Sequence, residues 1–196
     1  MLIPDIFTKW EIKPKGIVHI GAHDCEEYDI YKTQAMCDNI LWIEADPELV
    51  EKNKYKFNNL YQALITNESD KEVDFIITNN DGQSSSFLEL KEHLIEHPHV
   101  KEEKRIKLKT LTFDDFVKRN NIDCSNFDFL AMDIQGAELH ALLGMKENLK
   151  FFKYIYMEVN IKELYNKGGL LNDVKKHLSY NGFEMKDINM TSHGWG

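Results

Sequence analysis

No stretch of this sequence approaches the roughly 18 uninterrupted apolar residues that a spanning helix needs. Its first ten residues, MLIPDIFTKW, show no basic stretch followed by an apolar run. Both absences point to a chain without a membrane span, working in the cytoplasm. Cysteine is scarce too. Cys25, Cys37 and Cys124 are odd in number and have no CxxC spacing, which argues against a disulfide framework or a zinc knuckle and leaves reduced thiols. Cations are outnumbered, 24 Lys and Arg against 33 Asp and Glu, for a formal charge of -9. No cationic block interleaves with aromatics, so the long-range field repels a phosphate backbone and nucleic acid is not expected as a partner. The one basic stretch, 101–109, alternates with apolar residues and reads as the solvated face of a strand. His93, His97 and His99 offer two ligands one helical turn apart, but no acid or thiolate pattern completes a site. They read as surface histidines, and no metal-ligating residues are assigned. Repeats, low-complexity segments and Gly/Ser linkers are absent as well, so residues 1–196 are expected to form a single domain.

Short β-rich runs alternate with helix-patterned segments, the sequence sign of βαβ units. The fold expected is α/β: a Rossmann-like, mostly parallel, doubly wound sheet with helices on both faces. Strands are predicted at 16–21, 40–44, 60–65, 73–78, 105–110, 127–133, 151–159 and 183–188. Asp46 and Pro47 open a helix to about Phe57, Thr112 caps one through Arg119, and another runs over 170–180. Ser84 to Ser86 are expected to start a helix reaching Glu96, stopped before Pro98. The chain ends where such a sheet usually wants one more edge strand, which leaves two readings open: a truncated sequence or a sheet without that final strand.

In open α/β sheets ligands bind at the carboxyl ends of the strands. Here those ends supply Gly21-Ala22-His23, Glu44, Asp133 and Glu158. Carboxylates at the ends of three apolar runs are costly unless they meet a partner. Gly21 admits a close backbone approach, and Glu44, about 20 residues further on, has the spacing of an acid that accepts hydrogen bonds from ribose hydroxyls. The pair indicates a nucleoside cofactor. A dinucleotide is disfavoured, because GAHDCE keeps only the first glycine of GxGxxG and sets His23 and Asp24 where a pyrophosphate would lie.

The segments VHIGAHDCEE, WIEADPELVEKN, ALITNES, NNDGQSSSFLEL, LKTLTFDDF, FLAMDIQGAELHALLGM and MEVNIKELYNKGG, in this order, resemble the FkbM-type S-adenosylmethionine-dependent methyltransferases. MDIQGAEL and GQSSS are the most diagnostic. The resemblance implies a class I methyltransferase fold, S-adenosyl-L-methionine as cofactor, and methyl transfer to an oxygen of a sugar, glycan or other small molecule. It places Gly21, Ala22 and His23 at the methionine end, Glu44 at the ribose, Asp46 with Ala63 and Leu64 at the adenine, and Asp133 beside the reactive methyl. Ala45 joins the cofactor set, and Ser84, Ser85, Gln135, Glu138 and Asn160 are the acceptor-side candidates. Three positions depart from the family pattern: His19 stands where an acid is common, Cys25 where glycine is frequent, and Ala131 where a lysine often precedes the aspartate by two residues.

Methyl transfer from a sulfonium is an in-line displacement, so the enzyme chiefly positions the acceptor and takes its proton. A hydroxyl near the pKa of water, about 15.7, benefits from a base in contact. Asp133 is the first candidate, Glu158 the second and His23 the third. Two other readings stay open: a non-catalytic cofactor- or partner-binding module, prompted by the missing lysine and glycine, and a nicotinamide-dependent oxidoreductase, prompted by the βαβ frame alone.

Overall fold

The computed structural model describes residues 5–190. After a one-turn helix α1 (Ile6–Lys9), five strands form a parallel sheet: β1 (Ile17–Ile20), β2 (Ile40–Glu44), β3 (Leu60–Gln62), β7 (Phe129–Met132) and β8 (Tyr154–Met157). Their order is β3-β2-β1-β7-β8, with every pair parallel. β1, β2 and β7 are buried along their whole length, as expected of central strands covered on both faces. Their side chains alternate between two cores. Val18, Ile20, Leu41, Ile43, Leu130 and Met132 meet α5 (Phe113–Arg119), α6 (Glu138–Leu143) and α7 (Leu171–Tyr180) on one face. Ile17, Ile40, Trp42, Phe129 and Ala131 meet α1 and α2 (Tyr28–Thr33) on the other. This is the doubly wound α/β fold expected. Among the described residues, no helix is long and apolar enough to cross a membrane.

The chain builds outward from β1 through β2 to β3, then returns to lay β7 on the other side of β1, so the strand order reverses between β1 and β7. Ladder bonds continue one residue past the strands: Asp133 N–H donates to Ile20 O at 3.0 Å, Glu158 N–H to Met132 O at 3.1 Å, and Gly21 N–H to Ile43 O at 2.9 Å. These bonds hold the polar carboxyl ends side by side.

Three expectations need correction. The strand over 60–65 divides at Ala63, whose N–H closes on Glu44 O at 2.9 Å. Beyond it β4 (Leu64–Ile65) leaves β2 and pairs with β6 (Glu102–Leu111), itself antiparallel to β5 (Glu72–Thr78). The helix predicted over 84–96 shrinks to one turn, α4 (His93–Glu96), because the serines bond locally instead. Ser84 Oγ accepts from Asn80 Nδ2 at 3.0 Å, while Ser86 exchanges backbone bonds with Ile76, adding a bridge to β5. The strand predicted over 183–188 does not form. Gly182, at φ +87°, ends α7 by donating to Ser179 O while Phe183 N–H returns to Leu178 O, and Phe183 then packs on the first core. α3 (Pro47–Asn53) starts as expected, with Asp46 capping Glu48 N–H at 2.8 Å, and stops short of Phe57.

Gly21 sits at φ +84°, and a Cβ built there would lie 1.9 Å from Asp133 O. Gly21→Ala therefore has to separate the ends of β1 and β7. We expect a loss of at least about 2 kcal/mol in urea unfolding; a variant as stable as the wild type would contradict this tight crossing.

Candidate functional site

Past the carboxyl ends of the sheet lies a cavity of about 600 Å³, within the usual range for small-molecule sites. Its floor is Gly21, Glu44, Asp133 and Glu158, the groups that the sequence pattern put at strand ends. Ala45, Asp46, Ala63 and Leu64 form one wall, and His23 and Gln135 also face it. The segment between β5 and β6 completes the enclosure with Ser84, Ser85, Phe87 and the three histidines of 93–99. Three candidates lie outside the lining. Ala22 is packed in the core beneath it, Glu138 is buried under the 134–136 turn, and Asn160 bridges to Leu170.

Glu44 organises the floor. One carboxylate oxygen accepts from His23 N–H at 2.7 Å and the other from Asp46 N–H at 2.8 Å. Burial pushes this carboxyl upward, and the two N–H bonds pull against that shift. A carboxylate has about four lone-pair sites, so each oxygen retains acceptor capacity on the cavity side. The bond to His23 also holds that residue at φ +46°, in the left-handed region.

Both ring nitrogens of His23 are engaged. Nδ1 lies 2.6 Å from Glu26 Oε1, and Nε2 lies 2.7 Å from Asp81 O. Two acceptors call for two donors, so the ring is an imidazolium, its pKa raised to about 9 chiefly by the bond to Glu26. As a base candidate it has no vacant nitrogen. With Asp24, His23 and Glu26 place ligand-type atoms within 4.8 Å of one another, but Asp24 is already bound by Lys52 and Asn53.

Asp133 and Glu158 stand together. Burial, reinforced by the neighbouring Asp133 carboxylate, pushes Glu158 upward. Asp133 Oδ1 accepts from Gln135 Nε2 at 2.6 Å, and Gln135 Oε1 accepts from the buried Tyr165 hydroxyl at 2.6 Å. Only one amide orientation satisfies both neighbours, since a carboxylate cannot donate. Glu138 supports the same turn: its Oε1 accepts from Ile134 N–H at 3.1 Å and Gly136 N–H at 3.3 Å, while burial lifts its pKa to about 8.

Sequence reasoning missed Tyr165 and misplaced His93. Tyr165 lies in the matching segment MEVNIKELYNKGG, but nothing in its spacing shows that the loop folds back under Gln135. His93 is buried rather than on the surface, its ring 5.4 Å from that of Tyr165. Two departures noted above are neighbours in the sheet. His19 and Ala131 are register partners on adjacent strands. Ala131 is packed in the second core, and His19 sits against Trp42 and bonds Tyr31 at 2.8 Å, kept neutral by burial at about 3. Ala131 does not face the cavity.

The family described as methyltransferase FkbM domain matches residues 19–185. Among curated proteins, the chain is 26% identical over 160 residues to a protein described as 2-O-methyltransferase NoeI from Sinorhizobium fredii (strain NBRC 101917 / NGR234). That match covers 76% of this chain and 65% of the relative, so the chain spans just under two thirds of its length. No solved structure matches significantly.

Two outcomes follow from these bonds. His23 titrates higher in the folded chain than its ordinary 6.5, so its stabilisation is complete below that value and is lost as pH rises through about 9. The wild-type urea midpoint should therefore fall more than that of His23→Gln between about pH 7 and about pH 10; parallel curves would show that the imidazolium pair adds nothing. Tyr165→Phe strands the Gln135 carbonyl and is expected to cost about 1–3 kcal/mol, again read by urea unfolding, and a change near zero would mean that Tyr165 does not hold the amide.

Proposed function

Because the chain belongs to the FkbM methyltransferase domain family, we propose that it transfers the methyl group of S-adenosyl-L-methionine to an oxygen, a hydroxyl of a sugar, glycan or other small molecule. The observation that carries this reading is the convergence of Gly21, Glu44, Asp133 and Glu158 on one cavity at the strand-order reversal. The three unpaired, buried cysteines suit a reducing compartment such as the cytoplasm.

The residues present fit such a cofactor. Glu44 has acceptor capacity for ribose hydroxyls, and Ala63, Leu64 and Phe87 offer an apolar surface to a purine. His23, the fixed cation of the lining, suits the methionine carboxylate, and the surrounding acids suit an ammonium and a sulfonium. When bound, the cofactor supplies an electrophilic methyl whose transfer discharges the sulfonium.

The chain's own work is positioning and proton removal. With His23 fully engaged, the base belongs to the Asp133–Glu158 pair. Gln135 fixes one oxygen of Asp133 and so sets the direction in which that carboxylate faces an acceptor. Glu158, raised by burial and by its neighbour, is suited to take a proton near neutral pH. The family's frequent lysine is not needed for this, because position 131 faces the second core.

Calorimetry with S-adenosylmethionine and S-adenosylhomocysteine tests the reading. We expect saturable binding in the micromolar range, lost by at least about 100-fold in Glu44→Ala. Asp133→Asn is expected to keep binding and lose labelled-methyl transfer to a glycan panel. Undiminished binding by Glu44→Ala would remove the cofactor assignment.

A further inference from the structure

The charge of the cavity wall narrows the acceptor. Resting on the methyltransferase reading above, we propose that the acceptor is an uncharged hydroxyl compound, such as a neutral sugar residue, and that sugar phosphates, sugar nucleotides and uronic acids are excluded.

Anions are bound in proteins by Lys or Arg side chains, by open helix N-termini, or by a metal ion. Neither Lys nor Arg is among the described residues lining the cavity, whereas Glu26, Glu27, Glu44, Asp46, Asp133 and Glu158 all are. The undescribed residues, 1–4 and 191–196, contain no Lys or Arg in their sequence. Nearby surface cations are occupied elsewhere. Lys52 pairs with Asp24, Lys104 with Glu48, and Arg105 with Glu89 and Glu102. His23 is cationic, but its charge is assigned above to the carboxylate of the cofactor, and Glu26 and Asp81 take both ring protons.

Asp46 takes Glu48 N–H at the start of α3, and Glu138 takes Ile134 N–H and Gly136 N–H ahead of α6. A phosphate on the acceptor, entering beside the bound cofactor, would lose its hydration and meet Asp133 and Glu158 in return, a like-charge arrangement that costs several kcal/mol. The net charge of -9 disfavours its approach at long range too.

A neutral polyol finds suitable partners in the same wall. His93 is buried, lines the cavity, and has no hydrogen-bond partner at Nδ1. Its ring is fixed by the Tyr165 ring at 5.4 Å, and burial holds its pKa down at about 4, so it stays neutral. A neutral imidazole carries one donor and one acceptor, the complement of a hydroxyl. A buried ring nitrogen without a partner is the kind of group that a ligand satisfies. Ser84 and Ser85 add hydroxyls to the same wall.

The test uses the full chain and matched ligands: methyl glycosides of neutral hexoses, the same hexoses as 1-phosphates and as nucleotide diphosphate sugars, and glucuronic acid. Saturation-transfer NMR with S-adenosylhomocysteine present reads binding, and labelled methyl transfer reads turnover. We expect signals from one or more neutral glycosides and binding at least about tenfold weaker for each charged counterpart. His93→Gln and His93→Phe should keep cofactor affinity by calorimetry and raise the KM for the neutral acceptor by about tenfold or more. A phosphorylated, nucleotide-linked or carboxylated sugar that binds as well as its neutral partner overturns the proposal, and so does a panel in which no neutral glycoside binds. An unchanged KM in both variants removes His93 from the acceptor site. Failure of the methyltransferase reading looks different: no cofactor binding and no transfer, with the binding preference between neutral and charged sugars still measurable.

Discussion

Two hydrogen bonds to the Glu44 carboxylate hold the functional end of this molecule together. One comes from His23, in the turn after β1, and the other from Asp46, in the turn after β2. The parallel register sets β1 and β2 side by side but leaves the turns beyond them undefined, since ladder bonds stop where the strands diverge. A single buried carboxylate spans both turns. Its desolvation is offset by two N–H donors, and the left-handed backbone at His23 is held in place by the same contact. His23 then carries the linkage onward to Asp81, in the segment between β5 and β6. Strand end, turn and overhanging segment are thus connected through a few short bonds.

A second support of the same kind stands on the other side of β1. Glu138 collects the N–H groups of Ile134 and Gly136, and Tyr165 aligns Gln135 against Asp133. Both supports place acids where the sheet meets the cavity, and in both the carboxylate is buried and raised. Each acid is therefore bound to the frame as well as facing or backing the cavity, which keeps the floor rigid at the cost of burying charge.

The central frame was readable because buried parallel strands announce themselves as continuous apolar runs. IVHI, ILWIE and FLAM end at or one residue before Gly21, Glu44 and Asp133, which form the floor, and an acid after an apolar run has few neutral explanations. What could not be read depends on contacts between distant segments. Ala63 looks like the interior of one strand until its N–H is seen closing on Glu44, after which the chain changes partners. Ser84 to Ser86 satisfy a helix-capping pattern equally well as a set of local side-chain bonds, and nearby Asn80 and Ile76 decide between them. Phe183 has strand propensity, yet the turn at Gly182 uses it to seal the end of α7. His19 and Ala131 lie far apart in the sequence and become neighbours once β1 and β7 are paired. Glu138 and Asn160 lie near functional motifs in the sequence, and in space both serve the frame.

The β5–β6 hairpin has a further consequence. The floor of the cavity is made by the parallel sheet, whereas the serines, Phe87 and the three histidines all arrive on the excursion between Thr78 and Glu102. That excursion begins and ends in one antiparallel ladder, anchored by pairing from Glu72 with Lys109 to Thr78 with Glu102. Its tip can be lengthened, shortened or replaced while the ladder keeps its register, and Gly21, Glu44, Asp133 and Glu158 stay where they are. The molecule thus separates a constant chemistry from an exchangeable reading head, so redirecting it to new hydroxyl compounds is a matter of grafting one loop between two strands.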